Sequence, residues 1–472
     1  MDRALRVLMF PWLAQGHISP FLELSKRLAD HGLKVSFLST PGNISKIKSS
    51  LQEKWVGKID MEELPLPSVE GLPPTEDNTA DITMEMADLL KIALDGLQKP
   101  FEDLLRRIQP DYIIHDFSQH WTAMIAAKFG IPAIYFRIAG AATAGVIAFK
   151  RFEASSILPA YNGHGGEDVT VMGRFFKSVE ACKLMLVRSC FELESKYVHY
   201  LETEHNKRVI PVGLLLPETF PASDQNECLR WLDNYPPSSV VYVSFGSECF
   251  LSKELLPHTW LHTCIYRIIF SWETKSWENP KHLVTVGLHI PNKEQVAELA
   301  KGLEESHVPF LWVLRSPRYN DDSTSSAEER ARALLPEGFE ERTRERGVVY
   351  CKWAPQQQIL CHSSTGGFVS HCGWSSVLEA VKFGVKIIAL PMHIIQGLDG
   401  RLVAEELCIG MEIGREEDGS FRAEEIRRCV RYVMVGEEGR RVAENMDKVR
   451  EKLFGEEEIQ EKYIRELIKH LV

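Results

Sequence analysis

Two side chains in the first quarter of the chain have the types and the setting for proton transfer. His17 follows the apolar run Leu5 to Phe10, and Asp116 ends the run Asp111-Tyr112-Ile113-Ile114-His115-Asp116. If both runs are strands of one parallel sheet, both side chains sit at its carboxyl edge. A carboxylate there would orient an imidazole and stabilise its cation, and such a pair makes a general base for a hydroxyl. Alone, His17 is a weak signal, since a loop histidine is ordinarily bonded to backbone.

A second group of candidates lies in the last third. Gly373-Trp374-Ser375-Ser376 falls between a strand-like run and a helix-like run, so free backbone N–H groups and two hydroxyls would face an anion such as a diphosphate. Ser376 and Glu379 also have the Ser-x-x-Glu spacing of a capping box, and spacing alone does not choose between these readings. Val243-Ser244-Phe245-Gly246-Ser247 offers another small, hydroxyl-bearing turn after a strand. His258, His262 and Cys264 lack the zincin glutamate and a clear further ligand, so they do not point to a metal. There is no P-loop, and Gly140 to Gly145 contains no G-x-G-x-x-G.

The elements that must position these groups alternate. Leu5 to Phe10 reads as a buried strand, Ile18, Phe21, Leu22, Leu24 and Leu28 mark a helix ending at Gly32, and Leu33 to Leu38 reads as the next strand. Further strands are expected at Tyr112 to Ile114, Ala133 to Phe136 and Leu184 to Val187. Three prolines in the eleven residues Pro211 to Pro221 suit an extended linker. Strands resume at Val240 to Phe245, Phe310 to Leu314, Val348 to Cys351, Phe368 to Ser370 and Val385 to Leu390, while the polar stretch Ser316 to Glu329 reads as a surface loop. The pattern is α/β, with two doubly wound domains facing a cleft at the carboxyl ends of their sheets.

Composition narrows the function classes. The 472 residues are enough for two cores, and the 44% hydrophobic and 26% charged residues are ordinary for globular chains. Lys and Arg total 55 against 66 Asp and Glu, a formal charge of −11, which disfavours nucleic acid as a partner. No run reaches ~18 apolar residues, so no transmembrane segment is expected. Pro11, Gln15, Gly16 and His17 break the leading apolar run, which therefore reads as a strand and not a cleaved leader. The ten cysteines begin at Cys182 without regular spacing, and a reducing, cytoplasmic setting is the expectation. The sequon Asn43-Ile44-Ser45 reads as a chance match in such a setting.

Longer motifs add a resemblance. Trp353-Ala354-Pro355-Gln356 through His362, Ser370-His371-Cys372-Gly373-Trp374, and Glu379 to Gln396 together resemble the donor-binding box of the plant family-1 UDP-sugar glycosyltransferases, 44 residues from Trp353 to Gln396. Phe10-Pro-Trp-Leu-Ala-Gln-Gly-His17 is similar to the subgroup that adds a sugar to a flavonoid or terpenoid glycoside. The resemblance implies a GT-B fold. Residues 1–215 would be the acceptor-binding domain and 216–450 the donor-binding domain, with a helix in 451–472 packing back on the first. It implies His17 as catalytic base and Asp116 as its partner. Trp353 would stack on uracil, Ala354 and Gln356 would hold the nucleoside, and Glu379 the ribose. His371, Gly373, Trp374, Ser375, Ser376 and Ser247 would surround the diphosphate, and Gln396 the donor sugar. No metal or other cofactor is implied. The partners would be a UDP-sugar, UDP-glucose being the expected donor, and a small-molecule acceptor. The sequence carries no trace of oligomeric state and is compatible with a monomer.

Three positions depart from that family pattern. Ser375 stands where asparagine is usual, keeping a shorter hydrogen-bonding group. Ile395 stands where an acidic residue usually precedes Gln396, and losing a charged acceptor of sugar hydroxyls costs about 1.5–3 kcal/mol per bond. About forty extra residues, roughly 255–292, carry Trp260, Ile265, Ile268, Ile269, Phe270, Trp272 and Trp277, too apolar for an exposed loop. They resemble translated non-coding sequence more than a lid, and deleting them is expected to raise yield or activity. The alternative to an active enzyme is an impaired relative that keeps the fold and UDP binding.

Overall fold

The computed structural model describes residues 4–79, 82, 86–144, 170–218, 226–246, 293–315, 326–392, 394–456 and 458–472. Two sheets, parallel throughout, organise them. The first contains β1 (Arg6–Phe10), β2 (Lys34–Ser39), β3 (Ile59–Glu63), β4 (Tyr112–His115), β5 (Ala133–Arg137), β6 (Leu184–Val187) and β7 (Val209–Pro211), in the order β3-β2-β1-β4-β5-β6-β7. The second contains β8 (Val240–Ser244), β9 (Phe310–Val313), β10 (Gly347–Tyr350), β11 (Thr365–Ser370), β12 (Lys386–Ala389) and β13 (Gly410–Glu412), in the order β10-β9-β8-β11-β12-β13.

Each order reverses direction once, between β1 and β4 in the first sheet and between β8 and β11 in the second. At such a switch point the connections leave toward opposite faces, and the gap outside the strand ends is where open α/β sheets hold ligands. In register, Phe10 lies beside His115 and Ser370 beside Ser244, so the loops after these strands start level with one another.

Both sheets are covered on both faces, which is why their strands read as short apolar runs without alternation. Val7 and Met9 of β1 enter one buried cluster, Leu8 and Phe10 another. Val240 and Tyr242 of β8 share a cluster, while Val241 and Val243 face a different one. The cluster holding Val240 and Tyr242 also contains Met185 and Val187 of the first sheet and Trp374 and Val377 of the second half, so apolar packing is continuous between the two halves. The last helix, Glu458–Leu471, contributes Ile464, Leu467 and Leu471 to the cluster around Val7, Met9 and Phe21.

Three strands carry too little apolar signal to be read from sequence. β3 is Ile-Asp-Met-Glu-Glu at the sheet edge, β7 is Val-Ile-Pro, and β13 is Gly-Met-Glu. The proline-bearing segment after β7 is not a solvated linker at its start. Val212, Leu214 and Leu215 are buried, and Val212 N–H donates to the Val187 carbonyl at 3.0 Å and Gly213 N–H to Ser189 at 3.0 Å. Residues 316–325 of the expected loop 316–329 lie outside the described residues, and its end is helical instead, since Ser326 and Glu329 form a capping box on helix Ala327–Arg332. Asn43 of the sequon is buried and its amide donates to Thr40 Oγ1 at 2.8 Å, so it offers no glycosylation surface.

Candidate functional site

His17 lies in the first turn of helix Gln15–Asp30, brought there by the short connection from β1. Its Nδ1 is 2.6 Å from Asp116 Oδ2; the imidazole side chain is 21% exposed and the carboxylate 1%. An ionised carboxylate only accepts, so this bond puts the imidazole proton on Nδ1 and makes Nε2 the basic atom of the ring. Asp116 is fixed by two backbone donors, Trp12 N–H to Oδ2 at 3.2 Å and Phe117 N–H to Oδ1 at 2.7 Å. The Phe117 ring centre is 5.7 Å from that of His17 and 6.3 Å from that of Trp12, giving the pair an aromatic wall. The preceding residue, His115, is wholly buried with its pKa lowered to about 4 by desolvation, so it stays neutral and adds no competing charge.

The second sheet's switch point gathers the other candidates. Gly373 caps helix Trp374–Phe383 with no side-chain cap bond, so the Ser376–Glu379 capping box does not form. Glu379 instead accepts from Gln356 Nε2 at 2.8 Å and Gln357 Nε2 at 2.9 Å, and Gln356 Nε2 also reaches Ser376 Oγ at 3.2 Å. A carboxylate has about four lone-pair sites, so these amides leave capacity for two further hydroxyl donors. His371 is gripped by glycines. A Cβ on Gly246, whose φ is +76°, would stand 2.9 Å from His371 Cε1, and one on Gly373 would stand 2.6 Å from Nε2. Only glycine allows both backbones so close.

Trp353 is 73% exposed, an indole face open to stacking, and Ala354 packs against the core beside it. Gln396 Oε1 accepts from Met392 N–H at 2.9 Å, while Ile395 is 49% exposed and offers no acceptor at all. Ser247 and the segment 255–292, with His258, His262 and Cys264, lie outside the described residues. Among the described residues no group of three His, Cys, Asp or Glu side chains could hold a metal ion.

Between the two edges the halves are bonded directly. Trp374 Nε1 donates to the Arg188 carbonyl at 2.8 Å, and Arg188 Nη1 donates to Ser375 Oγ at 2.6 Å. Nearby, the buried Glu194 carboxylate accepts from Ala141 N–H at 3.0 Å, Ala142 N–H at 2.7 Å and Ser189 Oγ at 2.5 Å. Asp399, buried on helix Ile394–Arg401, has no hydrogen-bond partner among the described residues on either carboxyl oxygen. Burial, together with the Glu194 charge, pushes its carboxyl well above the usual carboxylate range, against an opposing pull from Arg137.

Comparison with known proteins gives this geometry a family. A profile described as UDP-glucoronosyl and UDP-glucosyl transferase matches residues 283–405, and one described as glycosyltransferase, N-terminal domain, matches residues 3–217. An anthocyanidin-3-O-glucoside rhamnosyltransferase of Petunia hybrida is 33% identical over 99% of this chain and 96% of its own length. The chain belongs to the plant family-1 UDP-dependent glycosyltransferases. A β-D-glucosyl crocetin β-1,6-glucosyltransferase of Gardenia jasminoides is 33% identical over 98% of both chains. Among solved structures, Arabidopsis thaliana UGT89C1 in complex with UDP-L-rhamnose superposes with a TM-score of 0.72 at 25% identity, covering 100% of both chains. A Glycyrrhiza uralensis UGT73P12 complex superposes at 0.76 with 22% identity, covering 99% of this chain and 96% of that one, a likeness of fold.

This family-1 glycosyltransferase therefore has the GT-B fold and is an enzyme that takes a UDP-sugar and a small-molecule acceptor. No helix among its described residues is long and apolar enough to cross a membrane. Sequence reasoning passed over Arg188, Gln357, Trp12 and Phe117. Arg188 sits immediately after β6 and Phe117 two residues after β4, so position at the carboxyl end of a strand was the available signal.

Proposed function

We propose that this glycosyltransferase moves a hexose from a UDP-sugar to a hydroxyl of a plant metabolite that already bears a sugar, such as a flavonoid or terpenoid glycoside, with inversion at the anomeric carbon. The hydrogen bond of 2.6 Å between His17 Nδ1 and Asp116 Oδ2 at the first switch point carries the reading. With Nδ1 protonated, Nε2 takes the proton of the acceptor hydroxyl as its oxygen attacks the anomeric carbon from the face opposite UDP. The bond from that carbon to the β-phosphate oxygen breaks, and UDP leaves with the electron pair. Asp116 stabilises the imidazolium that forms.

In this reading His371, Ser376 and the N–H groups of Gly373, Trp374 and Ser375 at the second edge bind the diphosphate, where donors that meet the departing charge lower the barrier. Ser247 belongs to the same reading. Trp353 stacks on uracil, Ala354 and Gln356 flank it, Glu379 accepts from the ribose hydroxyls and Gln396 bonds the sugar. A cytoplasmic, metal-independent enzyme fits this assignment. The names of the Petunia and Gardenia relatives support a glycosylated acceptor.

The test is UDP release from purified protein offered UDP-glucose, UDP-rhamnose or UDP-xylose with pooled flavonoid and terpenoid glycosides. Release that needs acceptor and is abolished by His17→Ala is expected; release unaffected by that change refutes the base assignment. A second reading, a relative that binds UDP without turnover, is favoured by the exposed Ile395 alone. It predicts silence from the native chain and recovery with Ile395→Asp.

A further inference from the structure

The guanidinium of Arg188 is the most unusual charge at the junction. It is buried, and among the described residues all its hydrogen-bond partners are neutral: Nε donates to the Leu214 carbonyl at 2.8 Å, Nη2 to Leu215 at 3.3 Å and Nη1 to Ser375 Oγ at 2.6 Å. Desolvation lowers its pKa to about 10, with Glu379 and Glu23 opposing, so it remains a cation. A buried cation without a bonded anion is costly. Here it also stands at the second residue of helix Trp374–Phe383, whose N-terminus is itself a positive pole. Glu379 and Glu23 offset part of the cost of this convergence without bonding to the guanidinium. An anion in front of the two poles would offset more of it.

Ser375 makes the link chemical. Its oxygen accepts from Arg188 and makes no other hydrogen bond to a described residue, so its single O–H proton is left to donate outward. Accepting from a cation polarises that O–H and strengthens it as a donor. The hydroxyl that replaces the family's usual asparagine is short enough to leave room for the guanidinium against the helix.

We propose that Arg188 is a positioning residue for the donor: reaching across from the first half, it holds Ser375 and sets a fixed positive charge behind the diphosphate, so that docking of the halves and binding of the diphosphate reinforce each other. The inference builds on the donor site assigned above. It commits to the diphosphate and not to the nucleoside, because the guanidinium's hydrogen bond to the second half goes to Ser375 at the start of helix Trp374–Phe383 and, among the described residues, none goes to Trp353 or Gln356.

The experiment is calorimetric titration of the full-length protein with UDP and, separately, with uridine, which lacks the phosphates. Arg188→Met is expected to weaken UDP by about tenfold or more and uridine by less than about twofold. Arg188→Lys, retaining charge, should recover part of the loss. Ser375→Ala should weaken UDP in the same sense, and Arg188→Met/Ser375→Ala should be little worse than Arg188→Met alone. Loss of UDP and uridine affinity in equal measure would assign Arg188 a purely structural role and overturn the proposal, as would unchanged UDP affinity. Should Arg188→Met not fold, Ser375→Ala decides, and an unaltered UDP-to-uridine ratio there refutes the coupling. Failure of the native protein to bind UDP at all removes the donor site itself, and the proposal with it.

Discussion

Replacing Asp399 by asparagine should stabilise the protein, and by an amount that grows with pH. The side chain is buried on helix Ile394–Arg401 with both oxygens unbonded among the described residues, and its carboxyl titrates well above the usual range because burial and the Glu194 charge outweigh Arg137. In the unfolded chain the same group titrates near ~3.9. Below that pH both states hold the proton and no penalty arises. Above it the unfolded chain releases the proton and the folded one keeps it, so folding stability falls by about 1.4 kcal/mol per pH unit until the folded-state pKa is reached. Asparagine has the same shape and never ionises. Asp399→Asn should therefore be near neutral at pH 4, and its advantage should grow as the pH rises above the unfolded-chain value, levelling off once the folded carboxyl itself ionises. At about 2–4 °C per kcal/mol for domains of this size, each pH unit of that rise adds roughly 3–6 °C to the midpoint of thermal unfolding. Scanning calorimetry of both proteins at pH 4, 5, 6 and 7 at one scan rate reads it directly. A gain that does not change with pH, or a loss at pH 7, refutes the reasoning.

Other outcomes follow from the same contacts. Asp116→Asn should lower kcat by about 10²–10⁴-fold with little change in acceptor KM, because an amide cannot balance the imidazolium. It should also cost about 1–3 kcal/mol in chemical denaturation, since its NH₂ must face one of the donors Trp12 N–H, His17 Nδ1–H or Phe117 N–H. A variant with native kcat would break the assignment. Gly246→Ala places a methyl 2.9 Å from His371 Cε1 at a φ of +76°, and it should weaken UDP binding and lower the unfolding midpoint together; unchanged affinity would show that the His371 ring is not held by this contact.

The pairing of His17 with Asp116 was legible because it follows from topology. A histidine just after β1 and an aspartate just after β4 must come together once those strands are neighbours, and both strands are buried on two faces and so plainly apolar. What escaped reading depends on long-range partners. Arg188 looks in sequence like a surface cation closing a strand, and its burial becomes visible only when Leu214, Leu215 and Ser375 arrive around it. Ser376 and Glu379 have capping-box spacing, yet Gln356 and Gln357 compete for the carboxylate and win because they hold it from a neighbouring helix. The segment after β7 read as a linker from its prolines, although Val212 and Leu214 are core residues. Edge strands such as β3, half charged, have no local signature to find.

The helix Glu458–Leu471 gives the protein a problem of order during synthesis. Its Ile464, Leu467 and Leu471 complete the cluster built on Val7, Met9 and Phe21, so apolar surface made early is covered by a segment made much later in synthesis. Elongation at ~5–20 residues per second puts roughly 13–50 s between the completion of β7 and the arrival of that helix. Through that interval the nascent first sheet presents an uncovered apolar face. A chaperone that holds emerging chains would find its substrate there, and the arrival of that helix, not synthesis of the first half, is the event that lets the core around Val7 and Met9 close.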